Sequence, residues 1–275
     1  MTNPTRHAAW RSMLERRNVL IGMVHIGALP GTPRATDPPA TLIEQAVRES
    51  LILREAGFDA VLVENMHDLP YVHGPLLGPE QPAVMAVAAA RIADASGLPL
   101  GVQILSGGNS DAMAVSLASG GAFIRCENYV YAHVADEGLL AQAEAGPLLR
   151  YRRSIGAEHI GVFCDIKKKH ASHAVTADLS IEDVAEAAVF FGADALIVTG
   201  VATGKPASVD DVSRVAAVAG APVLVGSGVD AASLPGMLEH ASAVIVGSSI
   251  KHGGVWNEPV DPARAAALVQ ARDRI

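Results

Sequence analysis

The sequence predicts an α/β protein whose eight parallel strands close into a single (β/α)8 barrel, the TIM-barrel architecture. The chain has 275 residues, of which 50% are hydrophobic, and it contains eight short apolar runs separated by helix-length segments. Each run is too short for a helix and too continuous for a strand with one exposed face, which is typical of parallel strands buried on both faces. A single α/β barrel routinely has this length.

The eight apolar runs are evenly spaced, and most of them follow a glycine or another small residue. They lie within residues 19–25, 56–65, 96–105, 119–128, 159–167, 191–200, 219–228 and 240–249. No GxGxxG motif follows the first run, so a closed barrel is favoured over an open, doubly wound sheet, which stays the alternative. We expect one domain over residues 1–275, with residues 1–18 as an extension that forms an extra N-terminal helix and the barrel over residues 19–275.

The segments between the runs begin and end at residues that typically bound helices. Four starts carry a capping side chain, namely Thr41 with Glu44, Ser180 with Asp183, Ser208 with Asp211, and Asp261 before Pro262. Glycine in the left-handed conformation commonly ends a helix, and the expected positions are Gly57, Gly97 and Gly192. The other expected helices cover residues 79–96, 110–118, 139–155 and 233–240.

Charge and hydropathy argue against several classes of partner. The formal net charge of −8 argues against nucleic acid or an anionic membrane surface as the main partner. The longest apolar stretches, at residues 19–24 and 83–90, fall far short of the roughly 20 residues that span a bilayer. We therefore expect a soluble protein of the cytoplasm. Cys126 and Cys164 lie in apolar runs without metal-ligand spacing, so we expect buried free thiols.

Polar residues close the predicted strands, and barrel enzymes carry their active sites at the carboxyl ends of the strands. Because these ends meet on one rim, we expect the polar residues there to surround a small-molecule ligand. The candidate substrate contacts are Asn65, Gln103, Arg125, Asn128, Thr199 and Gly200. A second glycine–hydroxyl pair, Thr203 with Gly204, follows the sixth run and is expected to touch the same ligand.

Two glycine–serine turns follow the seventh and eighth runs at matching positions. They comprise Gly226, Ser227 and Gly228, and Gly247, Ser248 and Ser249. Backbone N–H groups in such turns converge on an anion, and glycine lets the anion approach closely. The pattern favours a phosphate site, the alternative being two tight turns whose small residues serve packing only.

Four residues are candidates for the catalytic chemistry, namely Asp165, Lys167, Glu64 and His25. With the two-residue period of a strand, Asp165 and Lys167 share a face and can point together into the barrel mouth. Such a pair can move a proton, and a desolvated lysine can form a Schiff base. An internal ion pair that only bridges barrel layers is the open alternative. Glu64 is a candidate base or metal ligand, and His25 ends the first strand.

Two loops beyond the strands hold further candidates. The segment KKKHASH contains Lys168, Lys169, His170 and His173, and it is either a solvated loop or an anion contact on the rim. Residues 127–138 form either a lid or specificity loop or a packing insertion. No metal-ligand spacing occurs, so no cofactor is assigned and a divalent metal is left open.

The helix expected at residues 79–96 has an unusual composition. From Pro82 to Ala90 every residue is apolar, so this stretch offers no polar face to water. Val84, Met85 and Val87 point in different directions around the helix, which favours a homo-oligomer with its interface here. The alternative is that small alanines are tolerated on the surface.

Several segments together resemble one protein family. They are GMVHIGALPGTP at strand one, VENMHDLP at strand two, CDIKKKHASH at strand five, VTGVATGKP at strand six and VGSSIKHGGVWNEPVDP at the end. From about Val19 to the last helix, this pattern resembles the BtpA family. Members are similar to ribulose-phosphate-binding barrels, so the resemblance implies a barrel with a phosphate site. The family name refers to photosystem I biogenesis in cyanobacteria, and related members sit among sugar-metabolism proteins.

The pair of Asp165 and Lys167 is also similar to the pair found in phosphosugar and nucleotide decarboxylases on comparable barrels. Those enzymes place a further aspartate shortly downstream. Residues 168–176 contain no aspartate, which argues against decarboxylation of that kind.

The favoured function is therefore that of an enzyme acting on a phosphorylated sugar or a related phosphorylated metabolite. Aldol cleavage, isomerisation and glycosyl-bond chemistry all fit the candidate residues. The alternative, suggested by the family name, is a non-catalytic assembly or stability factor for photosystem I or another membrane complex. A converging set of ionisable residues on one rim favours the enzyme.

Overall fold

Eight parallel strands form a closed barrel in the computed structural model, which describes residues 9–200 and 206–275. The strands are β1 (Val19–His25), β2 (Ala60–Glu64), β3 (Leu100–Gln103), β4 (Phe123–Cys126), β5 (Gly161–Ile166), β6 (Ala195–Val198), β7 (Val223–Val225) and β8 (Ala243–Val246). Each strand pairs with the next one along the chain, and β8 pairs with β1 so that Val19 lies opposite Ala243. The predicted (β/α)8 barrel is confirmed.

An α-helix follows every barrel strand and buries one side in the outer core between helices and strands. The helices are α1 (Pro39–Ala56), α2 (Glu80–Ser96), α3 (Asn109–Ser119), α4 (Ala145–Ser154), α5 (Ile181–Phe190), α6 (Val209–Val218), α7 (Leu234–Leu238) and α8 (Pro262–Arg272). Among the described residues, no helix combines the length and the apolar character that crossing a bilayer requires.

Side chains of the barrel strands alternate between two cores, because successive residues of a strand point to opposite faces. On β2, Ala60 and Leu62 belong to the core inside the barrel. The same alternation brings Glu64 to the inside at the carboxyl end of the strand, an orientation that the sequence leaves open. Cys126 and Cys164 belong to the outer core and are free, as predicted.

The N-terminal helix, Ala9–Leu14, closes the amino-terminal end of the barrel. Trp10 packs edge-on against Phe163 with ring centroids 5.7 Å apart, and Phe163 stacks on Phe123 at 4.5 Å. Gly101 makes room for this stack, because a Cβ there would lie 2.3 Å from the Phe123 ring. The expected extra helix is confirmed for these residues, while residues 1–8 lie outside the described part of the chain. Apolar rings thus fill the amino-terminal end of the barrel, whereas the cavity lined by polar side chains lies at the carboxyl end.

Several predicted helix ends agree with the structure. The hydroxyl of Ser180 accepts from the Asp183 N–H, and the Asp183 carboxylate accepts from the Ser180 N–H, which together form the predicted capping box. Asp261 caps two N–H groups of α8. Gly57 and Gly97 end α1 and α2 in the left-handed conformation.

Two helix boundaries differ from the prediction. α1 begins at Pro39, so Thr41 lies inside the helix, and Pro38 at the N-cap makes no side-chain hydrogen bond. Proline at the first helical position is already in the required backbone conformation, which explains the earlier start. α4 begins at Ala145 rather than at residue 139, because Gly138–Leu140 pairs as a β-strand.

A small antiparallel sheet, here called the rim sheet, joins two loops at the carboxyl end of the barrel. Its strands are Gly138–Leu140, His133–Ala135 and Ala171–Ser172, in that order. The first two belong to the loop after β4, and the third belongs to the loop after β5. Part of the segment 127–138 is therefore held by backbone hydrogen bonds to a neighbouring loop.

The apolar helix α2 buries its methionine. Met85 has no exposed surface, whereas Val87 is 53% exposed. Met85 therefore belongs to the core and is not available to an interface, which corrects its expected role. The self-association itself stays a prediction.

Replacing Ser180 with alanine removes the side chain that caps α5, so we expect the free energy of unfolding to fall by about 1 kcal/mol. Thr41→Ala is the control, because Thr41 lies inside α1, and its effect should stay within about 0.5 kcal/mol. Urea denaturation measures both values. Equal losses in the two variants would contradict the assigned cap.

Candidate functional site

The carboxyl end of the barrel holds two adjoining cavities. The mouth cavity, of about 220 Å³, is lined among others by Glu64, Gln103, Arg125, Asp165, Lys169 and Trp256. The glycine recess, of about 30 Å³, is lined among others by His25, Gly226, Ser227, Gly228, Gly247 and Ser248. Glu64, Met66, Arg125 and Lys169 line both cavities. The two cavities therefore adjoin and share part of their walls.

A buried ion pair lies at the centre of this site. Arg125 at the end of β4 donates to both carboxylate oxygens of Asp165 on β5, with Nε 3.2 Å from Oδ1 and 3.1 Å from Oδ2, and Nη2 3.0 Å from Oδ1. The side chains of Arg125 and Asp165 are 3% and 2% exposed. Burial raises the pKa of Asp165, and the guanidinium of Arg125 opposes this shift. The bidentate geometry fixes the orientation of both groups.

Lys167 does not line the mouth cavity with Asp165, which corrects the prediction that both point into the barrel mouth, although both residues line a neighbouring cavity. β5 ends at Ile166, and Lys167 has a φ of 47°, in the left-handed region. This conformation breaks the two-residue alternation of the strand. The Lys167 ammonium donates to the carbonyl oxygen of Leu179 at 2.6 Å. The Lys167 side chain lines two cavities beside the mouth cavity.

Lys169, rather than Lys167, lines the mouth cavity. Its side chain lines both cavities, while its backbone N–H donates to the Thr199 hydroxyl at 3.1 Å. Within residues 9–200 and 206–275, its ammonium has neither a hydrogen bond nor an ion pair. Burial and the nearby guanidinium of Arg125 lower the pKa of Lys169, against the effect of Glu64. An unpaired amine in this position is available to a phosphate or a carbonyl group of a ligand.

The neighbouring Lys168 has a structural partner instead. Its Nζ lies 3.1 Å from Oε1 of Glu127, and Oε2 of Glu127 accepts from the Gly107 N–H at 2.9 Å. Against the effect of burial, the Lys168 ammonium and the Gly107 N–H lower the pKa of Glu127. This pair ties the loop after β5 to the loop after β3. The run of three lysines thus contributes one unpaired cation, Lys169, and the sequence pattern alone does not single it out.

His25 and Glu64 form a second pair where the two cavities meet. His25 Nδ1 donates to the Trp256 carbonyl oxygen at 3.0 Å, and Nε2 lies 3.5 Å from Glu64 Oε2. Burial, helped by the Lys251 ammonium, lowers the pKa of His25 well below its usual value, whereas burial raises the pKa of Glu64. Both shifts favour a neutral imidazole beside a protonated carboxyl. Such a pair can accept a proton at Nε2 and donate one from the carboxyl.

The loop after β8 positions Trp256. Lys251 and Val260 form an antiparallel bridge that closes this loop. Glu49 on α1 accepts from Lys251 Nζ at 3.3 Å and from the Val260 N–H at 3.2 Å. The Trp256 ring lies against the His67 ring with centroids 5.1 Å apart. These contacts fix the position of the Trp256 backbone carbonyl, which accepts from His25 Nδ1 and thereby orients the imidazole. Trp256 was not among the site residues predicted from the sequence, although an aromatic residue in a loop at this end of the barrel can indicate a ligand contact.

Two predicted substrate contacts hold loops instead. Asn65 has no exposed surface, and its amide donates to Asp68 at 2.8 Å and accepts from the Leu105 N–H at 2.7 Å. Asn65 follows the inward-facing Glu64, so it points away from the barrel interior. Asn128 has a φ of 53° and donates to a carbonyl oxygen in its own loop at 2.6 Å. The Asn65 amide therefore serves the scaffold, which corrects its expected role. The Asn128 amide nitrogen holds its own loop, and its Oδ1 is buried without a partner among the described residues.

Gln103 ends β3 and lines the mouth cavity, as does Arg125. Gln103 is 2% exposed, and its Oε1 has no hydrogen-bond partner in the described part of the chain. Buried polar atoms are nearly always paired, so each exception needs an explanation. A ligand in the mouth cavity would supply the missing donor.

The two glycine–serine turns meet in the glycine recess. Gly228 has a φ of 70°, a conformation that favours glycine. A Cβ on Gly226 would lie 2.5 Å from Ile197 and 3.3 Å from Nη2 of Arg125. A Cβ on Gly247 would lie 3.5 Å from the His25 ring. Glycine at these positions therefore keeps the recess open beside the central ion pair.

The hydroxyl groups of the turns differ in their use. Ser248 lines the recess. The Ser227 hydroxyl accepts from the Gly200 N–H at 2.8 Å, and the Ser249 hydroxyl donates to a backbone carbonyl at 2.6 Å. Thr199 accepts from the loop after β5. Ser249, Thr199 and Gly200 thus connect neighbouring turns, and the predicted pair of Thr203 with Gly204 lies outside the described residues.

Metal ligands are not assembled in the parts of the chain that the structure describes. Across residues 9–200 and 206–275, no group of three or more His, Cys, Asp or Glu side chains is arranged to hold a metal ion. Glu64, expected as a base or a metal ligand, lies instead beside His25.

Comparisons with known proteins point to one family. The model of the BtpA family matches residues 16–274. An uncharacterised protein of Caenorhabditis elegans, described as mitochondrial, is 43% identical over 259 residues, which cover 92% of each protein. The photosystem I biogenesis protein BtpA of Synechocystis is 32% identical over 260 residues, which cover 94% of this chain and 88% of that protein.

Solved structures share the fold at low sequence identity. The (S)-3-O-geranylgeranylglyceryl phosphate synthase of Thermoplasma acidophilum, in complex with its substrate sn-glycerol-1-phosphate, has a TM-score of 0.62 at 15% identity, with 100% of both chains covered. The orotidine 5′-monophosphate decarboxylase of Methanocaldococcus jannaschii has a TM-score of 0.59 at 12% identity, covering 94% of this chain and 99% of that one. At such identities the likeness shows the barrel fold alone.

We expect the His25 imidazole to stay neutral, with its proton on Nδ1, as the pH falls through the usual histidine pKa of about 6.5, because burial lowers the pKa of His25 well below that value. The unfolded chain then binds a proton that the folded chain does not, so His25 makes stability fall as the pH drops below about 6.5. Nitrogen-15 NMR of the histidine rings measures the tautomer and the titration. A His25 titration near pH 6.5 would contradict the assignment.

The stability part of this prediction has a matched control. His25→Gln should reduce the loss of unfolding free energy between about pH 7 and pH 5, whereas His240→Gln, at an exposed position, should not.

Proposed function

The chain belongs to the BtpA family of (β/α)8 barrels, and we propose that it is an enzyme acting on a phosphorylated sugar or a related phosphorylated metabolite. The observation that carries the proposal is Lys169, a half-buried and unpaired cation shared by the mouth cavity and the glycine recess. Removing an ammonium from water without a partner costs free energy. An anionic ligand at the junction of the two cavities would offset that free-energy cost.

The glycine recess supports the phosphate end of the substrate. Gly226, Gly228 and Gly247 line the recess without side chains that would fill it, and Ser248 adds a hydroxyl. Barrels of the same fold include a synthase in complex with its substrate sn-glycerol-1-phosphate and an orotidine 5′-monophosphate decarboxylase. In many barrels the turns after the seventh and eighth strands bind phosphate. The phosphate would lie in the recess, with Lys169 beside it.

The His25–Glu64 pair supports proton transfer at the other end of the substrate. In the proposed reaction, the neutral His25 Nε2 accepts a proton from a substrate C–H or O–H group, and the protonated Glu64 carboxyl donates one. The Asp165 carboxylate, held by Arg125, stabilises positive charge that develops nearby. Aldol cleavage, isomerisation and glycosyl-bond chemistry all need such a set. Lys169 serves either the phosphate or a substrate carbonyl, whereas Lys167 has no part in the chemistry.

A binding scaffold is the second candidate function. The Synechocystis relative is named a photosystem I biogenesis protein, which favours a non-catalytic role in the assembly of photosystem I or another membrane complex. An assembly surface does not require an unpaired lysine, an unpaired Gln103 oxygen and a neutral acid–base pair in one concave site. These features favour the enzyme.

Length and net charge support proposals on the domain organisation, the location and the partner of the chain. We propose one domain over residues 1–275 and a cytoplasmic location. The net charge of −8 supports a small-molecule partner rather than nucleic acid.

Lys169→Met should remove most of the stabilisation that inorganic phosphate confers, because the variant lacks the cation beside the recess. A ligand at 100 times its dissociation constant stabilises a protein by about 2.7 kcal/mol, so the wild-type melting temperature should rise clearly with phosphate concentration. Differential scanning fluorimetry over a phosphate series, at constant ionic strength, measures the shift. Lys167→Met is the matched control and should keep the wild-type shift. Equal shifts in both variants would show that Lys169 does not contribute to phosphate binding.

We also propose that the chain self-associates through the groove between α1 and α2. Ile43, Ala83, Val84 and Val87 line this groove, and Val87 is its most exposed large apolar side chain at 53%. Burial of such a surface stabilises an oligomer.

Val87→Glu should dissociate this oligomer into a species of 28.4 kDa, because it places a charge in the apolar groove. Light scattering at micromolar concentration measures the mass. Val218→Glu, an equivalent change on α6, should leave the mass unchanged. A wild-type protein that is already monomeric would refute the interface.

A further inference from the structure

The mouth cavity is lined by both titratable and apolar side chains. Its titratable lining comprises Glu64, Arg125, Glu127, Asp136, Glu137, Asp165, Lys168, Lys169 and His170, of which Glu64, Arg125 and Lys169 also line the glycine recess. Its apolar and aromatic lining comprises Met66, Leu69, Tyr71, Leu105 and Trp256. A phosphorylated sugar accounts for the charged groups, whereas its hydroxyl groups would find no partners on the apolar side chains.

Two aromatic residues, Tyr71 and Trp256, belong to the apolar lining. The Tyr71 hydroxyl donates to the Met66 carbonyl oxygen at 2.7 Å, so it is already satisfied within the protein. Trp256 is held by the closed loop after β8, and its carbonyl accepts from His25. Its ring lines the cavity. Aromatic walls of this kind suit a flat ring in the ligand.

One polar atom of a residue that lines the mouth cavity has no partner in the described part of the chain. Gln103 Oε1 is buried and unpaired in the described part of the chain, on a side chain that is 2% exposed and lines the cavity. A buried carbonyl oxygen without a donor is unfavourable, and an N–H or O–H of a ligand would remove that penalty. A few polar groups placed among apolar walls are typical of sites that orient a small molecule.

We propose that the substrate has two parts, a phosphorylated sugar in the glycine recess and a nitrogen-containing planar ring against the apolar lining of the mouth cavity. The ring lies against Trp256 and Tyr71, and a ring N–H donates to Gln103 Oε1. The linkage between the two parts then lies beside Glu64 and Arg125, which line both cavities. This inference rests on the proposed function, because it names the substrate class of the same site.

Isothermal titration calorimetry with four kinds of probe tests the proposal. The probes are inorganic phosphate, ribose 5-phosphate, a panel of nucleoside 5′-monophosphates, and the corresponding nucleosides without phosphate. We expect at least one nucleoside 5′-monophosphate to bind wild-type protein at least tenfold more tightly than ribose 5-phosphate. The tighter binding would come from the ring, since both probes carry the same sugar phosphate.

Variants locate the ring. Gln103→Leu and Trp256→Leu should each reduce the advantage of the ring-bearing probe at least fivefold and leave the affinity for ribose 5-phosphate unchanged. Asn128→Leu is the matched control for Gln103→Leu, because Asn128 Oδ1 is also buried and unpaired among the described residues but lies in a neighbouring cavity. It should keep the full advantage. Circular dichroism checks that every variant is folded.

The outcomes separate the two proposals. If ribose 5-phosphate binds as tightly as every ring-bearing probe, the ring subsite is wrong and the proposed function stands. If nucleosides bind and Gln103→Leu weakens them while no phosphate-bearing probe binds more tightly, the ring subsite stands and the phosphate function fails. If neither nucleosides nor their monophosphates bind, the ring subsite is wrong. If Asn128→Leu loses the ring advantage as fully as Gln103→Leu, the assignment of Gln103 is wrong.

Discussion

The bidentate ion pair between Arg125 and Asp165 is the interaction around which the site is arranged. It joins β4 to β5 inside the barrel, and both side chains are almost completely removed from water. Loss of one partner would leave a buried charge, at a cost of about 3–5 kcal/mol. The pair also commits the Asp165 carboxylate to Arg125. Lys169 is thereby left without a counter-ion at the point where the mouth cavity and the glycine recess meet.

Hydrogen bonding divides the polar residues at this end of the barrel into two groups. Asn65 and Glu127 are saturated by the loops that they hold in place. In the described part of the chain, Gln103 Oε1 is buried without a partner, and the ammonium of the half-buried Lys169 is unpaired. Because an unpaired polar group in a protein interior is unfavourable, the second group indicates where a ligand binds. Type of residue and position on the rim do not distinguish the two groups.

Burial decides the chemistry of the remaining pair. His25 and Glu64 lie side by side, yet burial lowers the pKa of the imidazole and raises the pKa of the carboxyl. Both shifts favour the neutral forms, and the Trp256 carbonyl holds a proton of His25 on Nδ1. The loop that supplies this carbonyl also forms an aromatic wall of the mouth cavity. Orientation of the base and shape of the cavity therefore depend on the same segment.

The sequence by itself determined the barrel, because apolar runs, helix caps and turn glycines are local properties of neighbouring residues. It also placed Glu64, Gln103, Arg125 and Asp165 at one end, since strand ends in a parallel barrel meet on one rim. Only the tertiary structure decided which lysine enters the mouth, because the left-handed backbone of Lys167 changes the direction of the residues after β5. It also decided which amides hold loops, because their partners are distant in the chain, as Leu105 is 40 residues from Asn65.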